Sequence, residues 1–452
     1  MNALEKKYGF WTATAMVVGI VIGSGVFFKA DDVLVASGGR LPTALLAWLI
    51  GGAIMVVTAY VFANIATRIE KVNGVVDYFE EAYGRKAGYL VAWFMTLIYY
   101  PTLVAVLAWV SANYTAVLFG LDQGVWTIAA VYLVGFFLLN CYSPVLAGKW
   151  QVLATVIKLI PLCLVAIVGT IAGLSNGQTI ESFTHSAQTV SSGGGLAVAT
   201  LSTAFAYEGW IIATAINAEL RDARRTLPRA LVAGTIFIIL IYMLYYLGIS
   251  GALSNDQVIA AGDDAPVKVF SLIFGNIAGT LLTVFVIISC LGTLNGLIMG
   301  SARGMYAIAS RNLGPAPDFF KRLHPRTNST LNSAWLGLGM SSLWLVVWYG
   351  NFAGWWGGFM DISELPIAFL YVIYIAIYAW VMRKYRDLGP GARFVAPLLA
   401  AAGSLYIIWG AVQKDMFVPF LVITAIIVAA GVILMESHRK TAAPPQPTAF
   451  NH

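Results

Sequence analysis

The chain has 452 residues, of which 59% are hydrophobic and only 11% charged. Soluble domains carry about 25% charged residues, so the composition excludes an ordinary water-soluble domain, and the formal charge of +6 falls between apolar stretches rather than on a nucleic-acid-binding face. Cys141, Cys163 and Cys290 each lie in an apolar run, and none of His185, His324, His438 and His452 lies in a long one. That excludes a disulfide framework, a Cys-rich metal cluster and a buried di-histidine site, so no metal or cofactor is expected.

A membrane-crossing helix needs roughly 20 predominantly apolar residues. Twelve are predicted, at 10–28, 42–67, 88–119, 125–143, 148–173, 194–217, 229–250, 270–302, 332–349, 359–382, 394–413 and 416–435. Lys6 and Lys7 precede the first, as in a signal peptide, but no small-residue cleavage site follows. The first span is therefore read as an uncleaved helix after a cytoplasmic segment 1–9. The third and eighth exceed a bilayer's thickness and require tilt. The loop 69–86 is a candidate for a short amphipathic surface helix. Trp355, Trp356, Gly357 and Gly358 blur the boundary between spans nine and ten. Residues 436–452, with Pro444, Pro445 and Pro447, read as a disordered cytoplasmic tail.

Orientation follows from the basic residues. With both termini cytoplasmic, 22 of the 27 Lys and Arg fall inside. Four, Lys29, Arg40, Lys268 and Lys414, fall outside, and Lys158 lies within a helix. This satisfies the positive-inside rule and indicates a multi-pass protein of the cell membrane (the inner membrane, for a bacterial chain).

Two spans carry signs of interruption. The first contains Gly19-Ile20-Val21-Ile22-Gly23-Ser24-Gly25-Val26-Phe27. Gly19 and Gly23 fit a small-xxx-small packing motif, while Gly23-Ser24-Gly25 equally fits a helix that unwinds, since glycine makes non-helical backbone cheap. The sixth contains Phe205-Ala206-Tyr207-Glu208-Gly209-Trp210. A mid-span carboxylate is costly unless it faces protein or water, and Gly209 loosens the backbone beside it. Interrupted helices at matching places in two halves point to a transporter site.

These residues resemble a family. Gly23-Ser24-Gly25-Val26-Phe27 is similar to the first-helix motif of the amino acid–polyamine–organocation superfamily, in its L-type amino acid transporter branch. Phe205–Trp210 followed by Glu219-Leu220 and Leu227-Pro228-Arg229-Ala230 resembles the sixth-helix signature. Ser289–Gly296 with Ser301-Ala302-Arg303 resembles the eighth helix. The resemblance covers spans one to ten. It implies an all-α membrane protein with a 5+5 inverted repeat (LeuT-like) plus two accessory helices, and alternating-access transport of amino acids. The repeats would be 10–173 and 194–382, with the accessory pair at 394–435.

An amino acid suits broken helices independently of the family. A half-helix N-terminus offers free N–H groups and a positive dipole end to the carboxylate, and Ser24, Gly25 and Val26 are the candidates. Free carbonyls at the preceding helix ends suit the ammonium; Val21, Phe205 and Glu208 are the family-matched positions. Phe205 and Trp210 resemble gating and pocket aromatics, although ordinary packing explains such residues equally well. Ile211 stands where some members have Asn, which favours neutral substrates, and the Glu208 side chain is expected to face away into a polar network.

Lys158 lies nine residues beyond Lys149, roughly 13 Å deep at ~1.5 Å per residue. It either snorkels or, as the resemblance implies, holds an ammonium near Gly23 and Thr293 where sodium-coupled relatives bind a cation. On the eighth span Ser289 and Thr293 share a face at i, i+4. They bond back to their own helix or, by family position, contact substrate and Lys158 respectively. Asp361 and Glu364 read as an interfacial network. The loop between spans three and four, Gly120-Leu121-Asp122-Gln123-Gly124, has no Cys, so the disulfide-linked ancillary subunit of eukaryotic members is not expected.

The resulting expectation is a stand-alone, sodium-independent exchanger (antiporter) of small neutral L-amino acids of the Ala, Ser, Gly type. Proton symport is the alternative, and a flux-free amino acid sensor is the rival from another class. A channel lacks a continuous polar lining here, and an enzyme lacks a nucleophile or metal set.

Overall fold

The computed structural model describes residues 9–441, apart from 70, 72, 189, 191–193, 214–219 and 221. These residues fold into helices joined by turns. Ten helices are long and apolar enough to cross a membrane: Leu41–Ala66, Arg85–Phe119, Val125–Tyr142, Pro144–Ser175, Arg224–Ala252, Asn255–Ala309, Leu331–Phe352, Leu365–Lys384, Gly391–Val412 and Phe417–Met435. Two shorter helices, Phe10–Val21 and Leu196–Tyr207, fill the first and sixth predicted spans. Each resumes after a break, as Gly25–Phe28 and as Trp210–Ala213.

Several boundaries move, each for a local reason. The tenth helix starts at Leu365 rather than 359, with Pro366 in its first turn. There proline's missing N–H costs nothing. The eighth bends at Gly275, whose φ of 78° no ordinary helical residue adopts. The predicted surface helix forms at Val75–Tyr83, ended by Gly84. The last helix runs on to Thr441, so the expected disordered tail is helical over its first residues, and 442–452 lie outside the described residues. So do the predicted end of the sixth span and Glu219 just beyond it.

The packing of the first four spans of each half is symmetric under an exchange of halves, while span five packs on span seven and span ten packs on span eleven instead of span two. Span one packs on span seven as span six packs on span two. Spans three and four pack as eight and nine do, and three meets nine as eight meets four. Spans two with seven, and three with eight, are their own images. Arg85–Phe119 is buried almost along its length, while Phe417–Met435 turns most of its surface outward. The core therefore sits around the two interrupted helices; Gly391–Val412 packs on spans six and two, and Phe417–Met435 is peripheral.

Candidate functional site

The first helix stops at Val21 because Ile22 turns to an extended conformation (φ −62°, ψ 110°). Ser24 then caps the resumed helix Gly25–Phe28, whose residues are all buried. The Val26 N–H and its neighbours lie at that helix start, where backbone donors have no intrahelical partner. The second break falls at Glu208 (φ −70°, ψ 158°) and Gly209 (φ 106°). The two breaks touch through their main chains. A Cβ on Gly25 would lie 2.5 Å from Ala206 Cα and 2.9 Å from Ala206 N. Only glycine allows that approach.

One tyrosine ties the breaks together. The Tyr242 hydroxyl donates to Ala206 O at 3.1 Å and faces the Gly23 N–H. Sequence reasoning passed over it, although Tyr242, Tyr245 and Tyr246 form a polar-tipped face at i, i+3, i+4 that could have pointed to it. Phe205, just before the second break, meets Phe28, on the segment after the first, edge-on at 5.4 Å. Trp210 is fully buried against Phe62 (5.2 Å) and Tyr374 (5.7 Å).

The Glu208 carboxylate accepts from the Tyr99 hydroxyl at 2.8 Å, with Tyr100, Tyr371 and Tyr374 around it. Its side chain thus enters a hydroxyl-rich pocket between spans three, six and ten. Lys158 is buried, and its Nζ donates to Gly19 O, in the last turn before the first break. A buried ammonium needs such partners. Thr293 lies against Gly23, its Oγ1 3.2 Å from where a Cβ would stand, and its hydroxyl donates to Ser289 O at 3.1 Å, one turn back. The Ser24 hydroxyl faces the Cys290 thiol, and Ser289 is buried next to it in sequence.

Beyond the first break the chain is held by charge. Lys29, 1% exposed, reaches Asp32 at 2.7 Å, Glu364 at 2.9 Å and Asp361 at 3.3 Å. Lys414, from the turn between the last two helices, reaches Glu364 at 2.9 Å. Burial opposes an ionised Asp361. Lys29, Lys414 and two bonds from Ser363 outweigh it and hold that carboxyl well below the usual carboxylate range. The three carboxylates lie close enough to bind a metal ion, and the Lys29 ammonium supplies the positive charge among them. Asp361 and Glu364 were expected to form an interfacial network; their tie to Lys29, hundreds of residues away, was not visible in the sequence.

Two interrupted helices crossing at bare backbone, inside symmetric halves, define a membrane carrier of the inverted-repeat class. Two solved structures share the fold at 15% identity. MHP1, a nucleobase-cation-symport-1 family transporter in a closed conformation with bromovinylhydantoin bound, matches with a TM-score of 0.56 over 92% of this chain and 96% of its own. MhsT in complex with L-phenylalanine matches with 0.54 over 89% and 99%.

The amino acid permease family model matches residues 8–439, and the chain belongs to that family, a family of transporters rather than enzymes. The serine/threonine exchanger SteT of Bacillus subtilis (strain 168) is 30% identical over 423 residues, 92% of this chain and 93% of that protein. The human large neutral amino acids transporter small subunit 2 is 29% identical over 334 residues, 71% of this chain but 61% of its own length. The mouse Asc-type amino acid transporter 1 is 27% identical over 355 residues, 76% and 66%. These place the chain in the L-type branch.

Proposed function

We propose that the chain exchanges small neutral L-amino acids one for one by alternating access, without sodium. The observation that carries this reading is the meeting of the two helix breaks at Gly25 and Ala206. In this reading the N–H groups of Ser24, Gly25 and Val26 take one end of the substrate and the carbonyls of Val21, Phe205 and Glu208 the other, the Phe205 carbonyl also accepting the Glu208 N–H at 3.3 Å. A zwitterion is then read by backbone alone, its carboxylate at a helix start and its ammonium at helix ends. The similarity to a serine/threonine exchanger over nearly the whole chain supports exchange.

The Lys158 ammonium on Gly19 O, four residues before Gly23, supports sodium independence, because a positive charge held there repels a second cation. Removing a charged donor costs ~1.5–3 kcal/mol, so Lys158→Ala should slow exchange roughly tenfold or more. Wild-type flux in that variant would remove Lys158 from the cycle.

The reading extends to twelve crossings, both termini cytoplasmic, with repeats at 10–173 and 194–382 and accessory helices at 394–435. The chain acts without a disulfide-linked subunit, since the 120–124 loop has no Cys. The human relative, by contrast, is named a small subunit.

The test is labelled alanine uptake into sodium-free proteoliposomes, empty or preloaded with unlabelled alanine. Uptake only after preloading supports exchange. Equal uptake in empty vesicles, raised by an inward proton gradient, moves the reading to proton symport; the buried Glu208–Tyr99 pair is the observation that favours this second mechanism. Binding without flux in either vesicle identifies a sensor.

A further inference from the structure

Outward of the first break, the structure buries hydroxyls that the protein itself does not use. Tyr114 (1% exposed) and Tyr245 (0%) have no hydrogen-bond partner among the described residues, and neither has Ser289 (1%). Buried tyrosines ordinarily find one. The two neighbours of Tyr245 on its own helix follow that rule: Tyr242 donates to Ala206 O at 3.1 Å and Tyr246 to Ala30 O at 3.0 Å. Tyr245 lies between them in sequence, so the exception belongs to what it faces rather than to how that helix packs.

It faces a shared electrostatic neighbourhood. Tyr114 and Tyr245 are electrostatic neighbours of each other and of the Cys290 thiol, and Tyr114 is also a neighbour of Asp263 and Asp31. That thiol in turn meets the Ser24 hydroxyl at the start of the resumed first helix. Phe27 closes one side, edge-on to the Tyr245 ring at 5.3 Å. Spans one, three, seven and eight thus converge on a wall that is apolar in its rings and polar at two unspent hydroxyl tips. The wall adjoins the backbone groups that would hold the zwitterion.

We propose that Tyr114 and Tyr245, with Ser24 and Cys290, form the side-chain subsite and that it selects amino acids bearing a hydroxyl on the β carbon. The assignment rests on the exchange reading above and names its substrate class. A substrate hydroxyl both donates and accepts, so it satisfies two phenol groups at once, while the Cys290 thiol and the Phe27 ring accept the neighbouring carbon. An isosteric methyl in its place leaves both phenols unpaired, and sites built for a hydroxyl discriminate strongly against its absence.

The experiment compares serine with 2-aminobutyrate, which replaces the hydroxyl by a methyl of similar size, in proteoliposomes preloaded with alanine. For Tyr245→Phe and Tyr114→Phe the serine to 2-aminobutyrate ratio of kcat/KM should fall about threefold to tenfold, the range expected for one hydrogen bond, with the change carried by the serine KM. An unchanged ratio, with both substrates falling together, would overturn the assignment and leave the two tyrosines as packing residues. A second readout does not require flux. With Cys141 and Cys163 changed to Ala, Cys290 is the remaining thiol, and serine should protect it from a small maleimide at lower concentration than 2-aminobutyrate. Equal protection by both would also overturn the subsite. Protection by serine without any exchange would instead sink the exchange reading and leave the subsite standing.

Discussion

At the first interruption Ile22 and Ser24 both keep negative φ, a backbone open to any residue, and glycine is needed there for closeness. Gly25 lies against Ala206 main chain and Gly23 against the Thr293 side chain. At the second, Gly209 sits at φ 106°, where glycine is needed for the conformation itself. The contrast continues past the breaks. The first segment is anchored by Lys29 among carboxylates, the second by Trp210 between Phe62 and Tyr374. Equivalent positions in the two halves thus reach one outcome by different physics: contact and charge in one, torsion and aromatic packing in the other.

The largest expected effect is at the ionic anchor. Lys29→Ala leaves Asp361 and Glu364 buried against a single remaining ammonium, Lys414, and breaking a buried pair costs ~3–5 kcal/mol. A thermal shift assay should show the loss. The pH dependence has a definite sign. The Asp361 carboxyl is held below its ordinary value near 3.9, so its contribution is present above that pH and disappears as pH falls through the lowered value. The Asp361 contribution should therefore not change between about pH 7 and 5. A loss of stability in that window would mean that charge does not anchor this segment.

Gly25→Val comes next. Its side chain meets main chain rather than a flexible neighbour, and overpacking of that kind costs ~1–3 kcal/mol or more. Exchange should fall to background; unchanged uptake kinetics would separate Gly25 from the site. Gly209→Ala should cost ~1–3 kcal/mol of backbone strain, with exchange reduced roughly tenfold, and no change in a neighbouring side chain should restore it. Gly23→Ala is the mildest, because its Cβ would lie 3.2 Å from Thr293 Oγ1 and that side chain can be removed. Adding Thr293→Ala should recover most of a few-fold loss, a coupling of ~0.5–1 kcal/mol in a double-mutant cycle. Equal rescue at Gly209 would erase the distinction between the two breaks.

Both breaks were legible because their signals are local: Gly23-Ser24-Gly25 in an apolar run, and a carboxylate beside glycine at Glu208-Gly209. The membrane helices were legible from composition, and the short surface helix at Val75–Tyr83 from its alternation of charge and ring. What stayed hidden depends on residues far apart in sequence. Nothing in the order of residues says that Ala206 presents main chain to Gly25, that Tyr99 reaches Glu208, or that Lys29 finds Asp361 and Glu364. The bend at Gly275 was hidden for another reason: a lone glycine in an apolar run fits a straight helix just as well.

The placement of Lys414 bears on how the protein is made. Chains insert and fold from the N-terminus, so Lys29 enters the membrane early, and Asp361 and Glu364 arrive before the last helix pair. Until the turn carrying Lys414 is delivered, three carboxylates share one ammonium; afterwards they share two. The last helix pair, whose first member packs on the interrupted sixth helix, therefore completes the charge balance of the anchor, and that side of the carrier closes only once the turn carrying Lys414 has followed.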